Sequence, residues 1–335
     1  MAVKPNEGED ALVASFARLI DSAGVKPRGL VLGVGDDAAI IRGQGEDYVV
    51  TKDVLVEGRH FRRRWFSGVA LGWRAAAVNL SDVAAMGAQP RFGLVSLVVP
   101  ENMPLNFARG IERGIQRHLA KYGATVIGGN VSGVLGPLMV DVTLIGACRS
   151  GGAWKRNARK GDAIVLVGPV GDAAIGLSLL EENPRARGSL VTRYRKPVPR
   201  LDVARLLAGN ASVHGAMDIS DGLSTDLIRM CRSAGVGCEL VEAQLPLSRA
   251  LKAYCISRGR DPLAWAMRGG EDYALILAVA PSKAEALCQR VKNRLGVAAV
   301  VAGRFTGDKG RFRIVGEDGR ARVFRATGWD HLKKG

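Results

Sequence analysis

Cysteine and histidine are both scarce. Five cysteines (Cys148, Cys231, Cys238, Cys255 and Cys288) in 335 residues form no C-x-x-C pair, and the odd count suggests no disulfide framework. Four widely spaced histidines argue against a His-rich metal cluster. No apolar run approaches the ~20 residues that a membrane span needs. The polar opening MAVKPNEGED lacks a signal-peptide core, so a cytoplasmic protein is the expectation. Aromatics make up only 5%, against 43 glycines, which suits an aliphatic α/β core with many tight turns. The phosphate loop G-x-x-x-x-G-K-[ST] is missing, as is a G-x-G-x-x-G turn between strand and helix. Those absences argue against a P-loop kinase and a Rossmann dehydrogenase. G-x-S-x-G and H-E-x-x-H are absent too.

Negative charge is in short supply. Lys and Arg number 48 against 32 Asp and Glu, a net charge of +16. Such a chain attracts anions: nucleic acid, acidic lipid or phosphorylated small molecules. Basic stretches fall at 59–64, 155–160 and 185–200.

What is present is an alternation of helical and strand patterns. Leu12, Phe16, Leu19 and Ile20 mark an amphipathic helix over 9–23. Strands are expected at 30–34, 48–54, 92–99, 125–127 (ending at Gly128-Gly129) and 138–147, with helices at 70–88 and 105–122. A Gly- and Arg-rich stretch at 149–161 then interrupts the pattern. Beyond it, strands are expected at 162–167, 273–279, 297–301 and 312–315, and helices at 172–181, 199–208, 223–234 and 281–295. At roughly 100–200 residues per domain, the reading is a two-domain α/β (α+β) chain divided into 1–150 and 151–335.

Carboxylates set beside glycine or at element ends carry the chemistry. They are Asp36-Asp37 after Gly35, Asp53, Asp82, Asp218 and Asp221 before Gly222, and Glu271-Asp272 after Gly269-Gly270. Any one of them reads equally well as a cap or turn residue. Together, in so basic a chain, they read as ligands for a hard cation. Two carboxylates ~5 Å apart repel by roughly 3 kcal/mol at an effective dielectric of 20, so several on one site require divalent countercharge. Magnesium favours a few carboxylates plus substrate phosphates, which suggests a nucleotide bound through metal bridges.

These same stretches resemble the thiamine-monophosphate kinase family, within the aminoimidazole-ribonucleotide-synthetase-like ATP-binding superfamily. The matching stretches are GDDAA from Gly35, TKD from Thr51, LVEGRHF from Leu55, WRAAAVNLSDVAAMGAQP from Trp73 and IGGN from Ile127. They continue with YRKPVPRL from Tyr194, DISDGL from Asp218, GGEDY from Gly269 and GWDH from Gly328. The resemblance implies ATP-dependent phosphorylation of thiamine monophosphate to thiamine diphosphate by direct, Mg²⁺-assisted transfer. It implies a homodimer formed through the N-terminal sheet, with no membrane partner and nucleic acid disfavoured. It implies an N-terminal domain that binds ATP and metal, and a C-terminal domain that completes the cleft.

By that resemblance, Asp37, Asp53, Asp82, Asp218 and Asp221 are the metal ligands. Thr51, Lys52, Gly129, Asn130, Lys155 and Ser220 contact the nucleotide or its metals, and His60, Glu271 and Trp329 contact the substrate. No residue is assigned a catalytic role beyond positioning. The chain departs from the family pattern at Lys52 (usually Thr), Asn130 (often Asp), Glu112 (often aromatic) and Lys155 (usually Arg). Two alternatives stand beside this reading. One is another ATP-dependent enzyme of the superfamily. The other is a basic nucleic-acid binder, in which Phe61, Trp65 and Phe66 interleave with the arginines of 59–64.

Overall fold

The computed structural model describes residues 9–24 and 27–328. The first half forms a six-stranded sheet in the order β1-β2-β3-β6-β4-β5. Its strands are β1 (Leu30–Leu32), β2 (Ala39–Arg42), β3 (Glu46–Val56), β4 (Gln89–Pro100), β5 (Thr125–Val134) and β6 (Met139–Arg149). The long β3 and β6 pair antiparallel, while β4 and β5 run parallel. Strand β2 escapes the sequence reading, because four residues are too few to show a period. Strand β5 continues through Gly128-Gly129 instead of ending there, with a register shift between Gly93 and Leu94 of its partner.

Helices α2 (Gly68–Ala85) and α3 (Leu105–Ala120) cover one face of this sheet. Their axes approach closely because glycines recur four residues apart on both. A Cβ on Gly72 would lie 2.0 Å from the Ile111 carbonyl oxygen, and one on Gly114 would lie 2.2 Å from that of Val69. Alanines make α2 thin enough to be buried on nearly all sides. It also touches the second half, so it is the element shared by both layers. His118 on α3 stacks on Trp73 of α2, with ring centroids 3.7 Å apart. Burial lowers the His118 pKa to about 4, so the ring is neutral.

The second half is a seven-stranded sheet in the order β13-β12-β9-β11-β7-β10-β8. Its strands are β7 (Ala163–Val167), β8 (Val213–Asp218), β9 (Gly237–Val241), β10 (Leu275–Val279), β11 (Ala299–Thr306), β12 (Phe312–Val315) and β13 (Ala321–Val323). Strands β7 and β10 are buried at every position, which explains their unbroken apolar runs. The helices are α4 (Asp172–Glu182), α5 (Ser189–Arg195), α6 (Leu201–Leu207), α7 (Leu223–Ala234), α8 (Arg249–Arg258), α9 (Pro262–Arg268) and α10 (Pro281–Leu295). Elements β8, β9, β13, α5, α8 and α9 were not expected; most are short, and several carry mixed polar sequence.

Helix α1 (Glu9–Ser22) forms as its periodicity predicts. Its stripe is nevertheless uncovered: Phe16 is 57% and Leu19 63% exposed. Periodicity reports amphipathicity, not what covers the apolar face.

Candidate active site

The acidic residues come from five separate segments and meet where the two sheets face each other across α2. On β3 the side chains alternate, so Thr51 and Asp53 point to the helix-covered face while Lys52 points away. The Thr51 hydroxyl donates to Asp82 Oδ2 at 2.6 Å. One residue earlier on α2, the fully buried Ser81 hydroxyl donates to Asp218 Oδ2 at 2.6 Å, at the end of β8. Asp37, in the turn before β2, accepts from the Arg156 guanidinium at 2.6 Å, and the Arg156 backbone N–H donates to Asp36 at 3.0 Å.

These carboxylates feel one another. Burial pushes Asp82 well above the usual carboxylate range, and the charges of Asp53, Asp218 and Asp37 add to it. Asp218 is raised by burial and then by Asp37, with the Ser81 hydrogen bond opposing. Asp37 rises to about 6 through burial, although Arg156 pulls it down. Asp37 Oδ2 is buried with no hydrogen-bond partner. The group is therefore an excess of negative charge and lone pairs without matching countercharge.

The turn bearing Ser220 and Asp221 is built by a residue the sequence reading missed. Asp226, fully buried in the first turn of α7, accepts the backbone N–H groups of Ser220, Asp221 and Gly222 at 3.0, 2.9 and 3.0 Å. The signal available was an Asp placed in the first turn of a helix that follows a glycine. Burial, and then the charge of Asp221, raises Asp226 to about 7. Asp221 itself pairs with Arg229.

The segment Gly269–Tyr273 is stitched to this turn. Glu271 N–H donates to the Ser220 carbonyl at 2.7 Å, and Tyr273 N–H to that of Ile219 at 2.9 Å. Both residues have positive φ, 69° and 51°, a conformation that costs energy in non-glycine residues and persists only where surroundings enforce it. The Glu271 carboxylate pairs with Arg74, a guanidinium wholly buried on α2. The adjacent Asp272 does something different. It accepts N–H groups of Gly171 and Ala173 and so caps α4.

One concavity borders the carboxylates, and a second lies further along the same sheet. A cleft of about 550 Å³ is walled by Asp53, His60, Ser220, Asp221 and Glu271 together with the apolar Phe61, Trp65, Leu177 and Tyr194. His60 Nδ1 accepts the Val56 N–H at 2.9 Å, which leaves Nε2 as the protonated nitrogen of a neutral ring. A second groove of about 470 Å³ lies between α3 and β5, lined by Val95, Glu112, Gly129 and Asn130 among others. The sheet register sets Asp53, Val142, Val95 and Gly129 in one row. Three strand spacings of ~4.8 Å separate the ends of that row by about 14 Å. Gly129 has no room for a side chain, because a Cβ would sit 1.8 Å from the Val95 carbonyl oxygen.

Two expected site residues are not brought to the cluster. Lys52 sits on the opposite face of the sheet, paired with Asp141 at 2.6 Å, as strand alternation requires. Lys155 makes no side-chain contact with the carboxylates; the next residue, Arg156, reaches them instead. Trp329 lies outside the described residues.

The carboxylates suit a hard divalent cation. All the donors are oxygens, one of them is buried without a partner, and their mutual repulsion calls for positive charge. Among the described residues no group of three or more Asp, Glu, His or Cys side chains is placed to hold a metal ion by itself. Magnesium does not require one, since waters and phosphates complete its coordination.

Family models match both halves: "AIR synthase related protein, N-terminal domain" over residues 35–148, and the corresponding C-terminal domain over 159–316. A thiamine-monophosphate kinase of Rhodopirellula baltica is 34% identical over 304 residues, covering 88% of this chain and 90% of the relative. One from Aquifex aeolicus is 36% identical, covering 72% and 79%. The solved structure described as AaThiL complexed with AMPPCP and TMP superposes with a TM-score of 0.84 at 29% identity, over 99% of both chains. The chain belongs to the thiamine-monophosphate kinase family of AIR synthase related proteins.

Proposed function

We propose that this chain transfers the γ-phosphoryl group of ATP to thiamine monophosphate, with its own carboxylates as the organising centre of the site. The observation that supports this most directly is the convergence of Asp37, Asp53, Asp82 and Asp218 beside a cleft of ligand size, with a second groove further along the same sheet. In this reading the nucleotide occupies the α3–β5 groove, with Gly129 and Asn130 at its phosphates. Thiamine monophosphate occupies the larger cleft. The unit 1–150 carries nucleotide and metal, and 151–335 closes the cleft. Asp37, Asp53, Asp82, Asp218 and Asp221 would hold Mg²⁺, which supplies charge neutralisation at the phosphates.

The chain's own residues then position the substrates. A phosphate-monoester nucleophile is already anionic near pH 7, so no strong general base is needed, and the work is alignment and electrostatics. Thr51 and Ser81 orient Asp82 and Asp218. Asp226 fixes the turn that carries Ser220 and Asp221. His60 offers its Nε2 proton to the substrate as a donor. The direct test is incubation with ATP, MgCl₂ and thiamine monophosphate, followed by chromatography for thiamine diphosphate. Product is expected with magnesium and none in excess EDTA; undiminished turnover with EDTA would overturn the metal-bridged reading.

We also infer a homodimer. The sheet face away from the helices exposes Ile41, Val54, Phe92 and Leu94, each at least 40% accessible, where a solvent-facing sheet is ordinarily polar. A second copy laid on this face covers it. Light scattering at micromolar protein is expected to give twice the chain mass of 35.5 kDa; a fully active monomer would reject the interface. The five free thiols fit a reducing compartment, and we place the reaction in the cytoplasm. Among the described residues no helix is long and apolar enough to cross a membrane.

A further inference from the structure

We propose that Arg268, with Arg59 on another wall of the same cleft, holds the phosphate monoester of the acceptor substrate. The inference rests on the kinase reading and assigns specificity within it. The acceptor must bring a phosphate of charge near −2 into a cleft whose walls include Asp53, Asp221, Glu181 and Glu271. Without a cation of its own, that phosphate would be repelled from the position where it has to react.

The guanidinium groups near the carboxylates are mostly committed. Arg156 is bound to Asp37, Arg229 to Asp221, and Arg74 to Glu271. Arg62 lies over the Trp65 ring, 5.7 Å from its centroid. Arg59 and Arg268 also line the cleft and are exposed, and neither guanidinium forms a hydrogen bond or ion pair with another described residue.

The backbone bearing Arg268 is held firmly. It is the last residue of α9, and the chain passes directly into Gly269-Gly270 against the Ser220–Gly222 turn. A Cβ on Gly222 would come within 2.8 Å of the Arg268 carbonyl oxygen, and one on Gly270 within 2.6 Å of that of Ser220. Side chains are excluded there, so the root of Arg268 is clamped next to Asp221. A planar guanidinium in this place offers a fork of N–H donors to a phosphate, which a neutral acceptor cannot use.

The experiment compares two ligands that differ only by the phosphate. Isothermal titration of the full chain with thiamine monophosphate and with thiamine needs no turnover. The wild type is expected to prefer the monophosphate. Arg268→Ala is expected to weaken the monophosphate at least tenfold while thiamine changes by less than twofold. Arg268→Lys is expected to recover part of the loss, and Arg59→Ala to weaken the monophosphate selectively by a smaller factor. The KM for ATP should stay within twofold in all variants. Equal losses for both ligands, or no loss for either, would overturn the assignment, as would a wild type that binds the two ligands equally. A wild type that prefers the monophosphate in the Arg268-dependent way but makes no thiamine diphosphate would instead refute the kinase reading and keep the arginine assignment.

Discussion

Asp82→Asn is expected to abolish turnover while making the metal-free protein more stable. The carboxylate is half-buried, accepts the Thr51 hydroxyl, and faces the charges of Asp53, Asp218 and Asp37. An asparagine keeps the shape and, through its Oδ1, the Thr51 hydrogen bond. It removes one negative charge from a group that Arg156 and Arg229 only partly compensate. The folded state should gain roughly 1–3 kcal/mol in EDTA, the scale of one carboxylate pair at an effective dielectric of 20. Catalysis should lose at least about a thousandfold in kcat, the upper scale for one preorganised electrostatic group at a reacting centre. A site of this kind stores instability that its ligands relieve, so stability and activity move in opposite directions on substitution. The measurement is paired: thermal melts in EDTA and in MgCl₂, and kcat at saturating ATP and thiamine monophosphate. An active Asp82→Asn, or one that melts below wild type in EDTA, would show that Asp82 is an ordinary structural carboxylate.

Much of this site can be read from the chain because its parts lie on short, sharply patterned segments. Strand alternation puts Thr51 and Asp53 on one face, and the same rule should have moved Lys52 to the other, where it pairs with Asp141. Resemblance to a Thr-Thr-Asp pattern outweighed that rule. Arg156 and Asp226 were missed for another reason. Each acts through a partner distant in sequence or through backbone N–H groups, and neither a charge beside Lys155 nor an Asp in a helix reports its partner. Asp272 shows the converse. Set next to Glu271 in one motif, it serves α4 as a cap, while Glu271 lines the cleft. The second sheet was harder to read than the first, because several of its strands are brief or depend on pairings made over more than fifty residues, such as β10 with β8. Local periodicity carries no information about such pairings.

The buried ion pair between Arg74 and Glu271 should respond asymmetrically to the loss of either partner, with the more exposed residue costing more. Arg74 has no accessible surface, whereas the Glu271 side chain is 25% exposed. Burial alone would lower the Arg74 pKa, but the Glu271 charge holds it above its ordinary value, so the guanidinium depends on this carboxylate. Glu271→Gln leaves a buried cation with its charge uncompensated and should cost about 3–5 kcal/mol. Arg74→Met leaves a carboxylate that can turn to water. It loses the bond to the Tyr194 carbonyl and the contact with the Tyr194 ring, whose centroid lies 4.4 Å from the guanidinium carbon. That loss should amount to about 1–3 kcal/mol. The double variant should be less destabilised than the sum of the two, because Arg74→Met removes the cation that Glu271→Gln strands. Both single variants should also lose turnover, since Glu271 stands in the cleft wall on a segment stitched to the Ser220–Asp221 turn. Urea unfolding at constant m-value reads the stabilities. An Arg74→Met variant as damaged as Glu271→Gln, or damages that simply add, would mean that packing of the long side chain, and not its charge, is what α2 contributes here.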